Sequence, residues 1–133
     1  GYDTFYRWGD SVKKFVKPRQ SESLVNRQFD KLYNAFIKNG YGVVIGEYGS
    51  IDRTSKDKSN TIYRAYFAEY VNYAAHQRNI VTVYWDNGYN GKHGFGLFDR
   101  TKCTARDNQG HYKRRKGYQS PENAYGIKPH LVQ

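Results

Sequence analysis

The sequence predicts an α/β fold built on parallel strands, and three observations carry that prediction. Tyr41 to Ser50 reads YGVVIGEYGS, in which Val43, Val44 and Ile45 are β-branched and show no polar alternation, the pattern of a strand buried on both faces. Ile80 to Trp85, IVTVYW, repeats that pattern. Before and between these runs apolar residues recur at helical spacing, and a helix that links two strands of one sheet leaves them parallel, with a right-handed connection.

The first helix is expected from about Ser23 to Asn39, where Val25, Phe29, Leu32 and Phe36 form a stripe that Tyr33 and Ile37 widen. Ser21 or Ser23 can cap its start, and Asn39-Gly40 is a left-handed stop. After the first strand comes a polar loop, Ser50 to Asn60. A second helix is expected from about Thr61 to Arg78, with Ile62, Ala65, Tyr66, Tyr70, Tyr73 and Ala74 on one side, Ser59 or Asn60 as cap and Asn79 at the stop. Its tyrosines read as core and rim packing. Asp86 to Gly96, DNGYNGKHGFG, is glycine-rich and expected to be flexible, with turns at Asn87-Gly88 and Asn90-Gly91.

The two ends are less regular. Tyr2, Phe5, Tyr6 and Trp8 precede a basic segment with Lys13, Lys14, Lys17 and Arg19. This cluster reads as a loop packed onto the core, with a sugar or base platform through Trp8 or Tyr6 as the alternative. Phe95, Leu97 and Phe98 close the apolar pattern. Residues 101–133 are dominated by Lys and Arg and read as a solvated, disordered basic tail.

Composition bounds the function. At 133 residues there is room for one domain at most, and a complete (β/α)8 barrel, which needs about 250 residues, does not fit. The net charge of +10 and the 17% aromatic content suit nucleic acid, yet Tyr and Trp also line sugar grooves, so composition does not choose. One cysteine, Cys103, excludes an intrachain disulfide and a Cys-rich zinc site. His76, His93, His111 and His130 do not fall into a ligand spacing, and neither phosphate-loop pattern is present, so no metal and no cofactor is expected. No apolar run reaches the ~20 residues of a membrane span, and GYDTFYRWGD lacks a signal-peptide layout. The start at Gly1 and the absence of Met suggest a piece of a longer protein.

Glu47 is the residue placed for chemistry. It stands at the carboxyl end of the first strand, where the ends of parallel strands leave the only uncovered surface, and Gly46 and Gly49 allow close approach. The bland alternative is a charged residue leaving a strand for solvent. Parallel pairing would bring Trp85 to the same rim.

VVIGEYGS, an Ala- and Tyr-rich helix, VYWDNG and GFGLFDR, in that order and spacing, resemble the carboxyl-terminal part of the endo-β-1,4-glucanases (cellulases) of glycoside hydrolase family 5. The resemblance covers about Phe29 to Arg100 and implies the last two strands, with their helices, of a (β/α)8 TIM barrel spanning residues 1–100. It makes Glu47 the catalytic nucleophile and Trp85 the platform under the sugar at the cleavage site. Asn87, Tyr89 and Tyr6 complete the expected substrate-binding set. The family's acid/base, a second Glu in Asn-Glu-Pro, has no match here. Glu122-Asn123 reverses the order, and Glu22 and Glu69 read as helix-face residues. The resemblance therefore implies a β-glucan partner, an extracellular location, and a chain inactive by itself. A two-strand piece also leaves edges and an inward face uncovered, so self-association or a partner carrying the rest of the barrel is expected. The competing readings are a carbohydrate-binding remnant using Trp85, Tyr89 and Trp8, and a polyanion binder working through the tail; nucleic acid ranks last.

Overall fold

The structure is a computed structural model, which describes residues 6–15, 20–99 and 104–105. Among them the order is a 3₁₀ segment at Asp10–Phe15, helix α1 (Glu22–Ala35), a 3₁₀ turn at Ile37–Asn39, strand β1 (Val43–Tyr48), helix α2 (Asn60–His76) and strand β2 (Ile80–Tyr84). Two-residue strands β3 (Phe98–Asp99) and β4 (Thr104–Ala105) then pair antiparallel. β4 falls inside the segment expected to be a disordered tail; the rest of that segment lies outside the described residues.

β1 and β2 pair in parallel, as a strand–helix–strand unit requires, with Val43 opposite Ile80 and Ile45 opposite Thr82. The core forms where α2 lies on one face of this sheet and α1 packs beside it: Phe29, Tyr70, Val71, Ala74, Ala75 and Ile80 are buried. Ala74 and Ala75 have no bulk beyond Cβ, so the last turns of α2 approach β2 closely. Arg78 fastens the two helices, donating to Asp30 at 2.7 Å and to Asn26 at 3.3 Å, while Asn26 Nδ2 donates to the Tyr70 hydroxyl at 2.7 Å.

Both stop signals close helical segments, although α1 itself ends at Ala35, short of the expected Asn39, and a 3₁₀ turn carries the chain on to Gly40. Gly40 takes φ +86° after the 3₁₀ turn, and Asn79 takes φ +56°, a conformation its short polar side chain tolerates. The caps are used differently. Ser21 and Ser59 do precede the helices, but neither side chain caps: Ser21 Oγ donates to Asp10 Oδ1 at 2.6 Å, and Ser59 Oγ donates to Asp57 Oδ1 at 2.6 Å. Asn60 instead ties three segments together, accepting from the Arg53 N–H and donating to the Tyr6 carbonyl.

Three expectations need correction. Tyr33, Phe36 and Ile62, assigned to apolar stripes, are exposed, because the sheet is too narrow to cover the whole of either helix face. Glu22 is not a helix-face residue but is buried, accepting from the Asp10 N–H and the Tyr66 hydroxyl, both at 2.7 Å. Most consequentially, the strands are buried on one face only. Val44 is 63% exposed, Val81 58% and Val83 48%, and all three point away from α2. β-branched runs of this kind belong to strands covered twice, and the second cover is not among the described residues.

Candidate functional site

A break in the β1 ladder sets the site. Ile45 opposes Thr82, but the next pair is Tyr48 with Tyr84, so Gly46 and Glu47 together oppose Val83. In a regular strand Glu47 would point to the same side as Val43 and Ile45, into α2. The extra residue hands that side to Tyr48 and turns Glu47 outward, and Glu47 is exposed while Tyr48 is half-buried. Glycine inside the strand makes the distortion inexpensive.

Tyr48 locks the bulge from the helix side. Its ring packs edge-on to Tyr84 at 5.4 Å, and its hydroxyl accepts from Asn72 Nδ2 at 2.6 Å. Burial holds the phenol above its ordinary value of 10.0, with the Asn72 and Thr82 hydrogen bonds opposing. The Tyr48 carbonyl accepts from the Trp85 N–H at 2.8 Å, which continues the ladder one residue past β2. Alternation then puts Trp85 on the face of Val81 and Val83, the open face that also carries Glu47. Among the described residues no ion pair engages the Glu47 carboxylate.

The Trp85 indole is 45% exposed, and one side of it leans on Phe95, with centroids 5.0 Å apart. The loop between them, expected to be flexible, is cross-linked by hydrogen bonds from its own side chains. Asp86 accepts from the Gly88 N–H at 2.7 Å and from the Leu97 N–H at 3.0 Å, and Asn87 Oδ1 accepts from the Tyr89 and Phe95 N–H groups, both at 3.1 Å. The glycines permit close backbone approach: a Cβ on Gly94 would overlap the Tyr89 carbonyl. Asn87 thus spends its carbonyl oxygen on fixing the loop that props Trp85, and Tyr89 is 58% exposed on that loop.

The remaining candidates lie elsewhere. Tyr6 is across Gly49 and Ser50, with Arg53 5.9 Å over its ring, and lines a separate pocket. Trp8 is half-buried and packed against Tyr66, Phe67 and Tyr70, the core packing anticipated for it, and it also lines that pocket. Glu47 and Trp85 are therefore brought together, Asn87 and Tyr89 flank them, and Tyr6 does not join them. Gly49 packs against Phe95, where an added Cβ would come within 2.9 Å.

Sequence reasoning missed Arg64, Ser50 and Asp52. Arg64 and Asp52 are buried, at 7% and 1% exposure, and anchor the loop after β1: Arg64 Nε donates to the Ser50 carbonyl at 3.1 Å, and its Nη1 faces Asp52 at 3.6 Å. The signal was available, since Arg64 shares a helical face with the buried Val71 and Ala75. Nearer the surface, Arg7 donates to Asp57 at 2.8 Å. Hydrogen bonds from Ser59, then from Arg7, hold the Asp57 carboxyl below its ordinary value.

Comparison with known proteins returns one family. The model of the Cellulase family (glycosyl hydrolase family 5) matches residues 3–91. Endoglucanase A of Paenibacillus barcinonensis is 51% identical over 101 residues, which are 74% of this chain and 25% of that protein. Among solved structures, a family 5 xyloglucanase from Paenibacillus pabuli in complex with a ligand superposes with a TM-score of 0.72 at 44% identity, over 77% of this chain and 29% of the other. A glycoside hydrolase 5 lichenase from Caldicellulosiruptor sp. F32, in complex with cellotetraose, gives 0.61 at 32% identity over 77% and 25%. The chain spans about a quarter or less of the length of the curated relatives it matches.

Proposed function

Because the chain belongs to glycosyl hydrolase family 5, an α/β piece of a barrel enzyme, we propose that it contributes the nucleophile to a retaining endo-β-1,4-glucanase. The supporting observation is that Glu47 and Trp85 share the open face at the carboxyl ends of two adjacent parallel strands. A retaining glycosidase needs two carboxyl groups about 5 to 5.5 Å apart, one attacking the anomeric carbon and one protonating the departing oxygen. Glu47, turned out of the core by its bulge and with no ion pair among the described residues, suits the first role. The flat indole of Trp85 offers an apolar face to the C–H side of a glucose ring, with Asn87 fixing the supporting loop and Tyr89 extending the aromatic rim.

The proton donor is not in these residues. Asn-Glu-Pro is absent, and Glu22, with both oxygens committed inside the core, cannot substitute. The acid belongs to the remainder of the barrel, whose strands would also cover Val44, Val81 and Val83. Residues 1–100 are then its closing portion, the strands being the seventh and eighth. An insoluble glucan cannot enter a cell, so such an enzyme works outside it.

The test compares the chain alone with the chain joined to the preceding barrel residues of the P. barcinonensis endoglucanase, both assayed on carboxymethylcellulose. The chain alone should be inactive and the joined protein active, with activity lost in Glu47→Gln. Turnover by the chain alone that Glu47→Gln abolishes would refute the assignment of the acid to another segment. Persistent binding of cello-oligosaccharide, with no turnover in the joined protein, would favour a carbohydrate-binding role through Trp85 and Tyr89.

A further inference from the structure

The loops that follow Glu47 and Trp85 are fastened to each other as well as to the sheet. The Asp52 N–H donates to the Gly94 carbonyl and the His93 N–H donates to the Asp52 carbonyl, both at 2.9 Å, so two backbone hydrogen bonds pair the loop after β1 with the loop after β2. The first of these loops is itself anchored, since Asp52 is buried beside the buried Arg64. His93 takes φ +68° at the crossing, a conformation uncommon outside glycine that persists where surrounding contacts impose it.

Phe95 comes just after this crossing, and its backbone is held on both sides: its N–H donates to Asn87 Oδ1 at 3.1 Å, and its carbonyl accepts from the Tyr84 hydroxyl at 3.0 Å. From that fixed origin its ring fills the space between Gly49, just beyond Glu47 in the chain, and the Trp85 indole, 5.0 Å away from centroid to centroid. Gly49 does not take a positive φ, so its backbone would accept another residue. What the position requires is the absence of a side chain: a Cβ there would lie 2.9 Å from Phe95 Cδ1 and 3.5 Å from the Trp85 carbonyl oxygen. A ring so held at its backbone can yield to that overlap only by tilting, with the indole beside it.

We propose that Gly49 and Phe95 are positioning residues that set the tilt of the Trp85 indole relative to Glu47. Phe95 is the spacer between the nucleophile's loop and the platform, and Gly49 is the gap that admits it. The inference rests on the reading of Trp85 as the sugar platform. A misplacement of about 1 Å by a change remote from the chemistry can cost on the order of 10²-fold in rate, so a platform tilted by its support loses activity although the indole is intact.

Two measurements separate the support from the platform. In NMR spectra of the ¹⁵N-labelled 133-residue chain, Gly49→Ala should shift the Trp85 indole N–H signal, identified by its persistence in Trp8→Phe, and leave the Trp8 signal in place. In the joined barrel, Gly49→Ala should lower kcat/KM on carboxymethylcellulose about 10²-fold, yet by no more than about twofold in a Trp85→Ala background, because residues that act through one side chain are not additive with its loss. Phe95→Leu adds no atoms near Gly49 and should show the same dependence on Trp85, which keeps the comparison available if Gly49→Ala does not fold. An unmoved Trp85 signal in a folded Gly49→Ala spectrum, or equal losses with and without the Trp85 indole, would overturn the positioning role and leave the platform reading standing. Full kcat/KM in Trp85→Ala alone would overturn the platform reading, and this role with it.

Discussion

The same two strands present two very different faces. Toward α2, Ile45, Tyr48, Ile80, Thr82 and Tyr84 are buried or half-buried, and Tyr48, Asn72 and Thr82 complete a hydrogen-bonded chain across strand and helix. Away from α2, Val44, Val81 and Val83 form an apolar surface with Glu47 and Trp85 at its upper end. The first face holds the unit together; the second is shaped for groups that these residues do not supply. The covered face is joined through contacts made within the strand–helix–strand unit itself, while the proposed chemistry needs the opposite wall.

The largest expected effect falls on the open face. In the joined barrel Glu47→Gln should lower kcat on the order of 10⁴- to 10⁶-fold, the scale of losing a nucleophile, with the melting temperature nearly unchanged. A parallel loss of stability would mean that Glu47 is structural and the two faces are not so separate. Next comes the covered face: Tyr70, 2% exposed, should cost about 3–5 kcal/mol on truncation to Ala, read by urea unfolding of the chain.

Val81→Ser sharpens the comparison. In the chain alone it should change stability by less than about 0.5 kcal/mol, as an exposed substitution does, and reduce self-association. In the joined barrel the same change should cost about 1–3 kcal/mol, because a hydroxyl then replaces buried methyl groups. Equal costs in both settings would show that the open face is covered in the same way with or without the other strands.

The smallest effect is electrostatic. Asp57 has a folded value below its ordinary 3.8, so its contribution is present above that pH and is lost as pH falls through the folded value. Asp57→Asn should flatten the acid end of the stability profile, lowering stability slightly near pH 7 and leaving it unchanged at a pH below the folded value.

Much of this architecture was legible in the sequence. Periodicity gave α1, α2 and both strands, and Asn39-Gly40 and Asn79 marked the helix ends, because these features depend on neighbours a few residues away. Glu47 and Trp85 were readable as rim residues for the same reason. What was not legible was long-range. The outward turn of Glu47 depends on a bulge whose only trace is Gly46 inside a β-branched run. Glu22 looked solvent-facing because its partners, Asp10 and Tyr66, are distant in sequence. The hydrogen bonding of the Asp86 to Gly96 loop was hidden since glycine content signals freedom, whereas Asp86 and Asn87 oppose that freedom through side-chain hydrogen bonds. Arg64 could be placed on the buried side of α2, but its pairing with Asp52 needed the folded chain.

The most direct test of the central claim is covalent trapping. A 2-deoxy-2-fluoro-cellobioside with a good leaving group slows release of the glycosyl intermediate from a retaining enzyme, so the attacked carboxylate stays labelled. After incubation of the joined barrel and peptide mapping by mass spectrometry, the account predicts the adduct on Glu47. An adduct on any other carboxylate, or sustained turnover with Glu47 unlabelled, would contradict it.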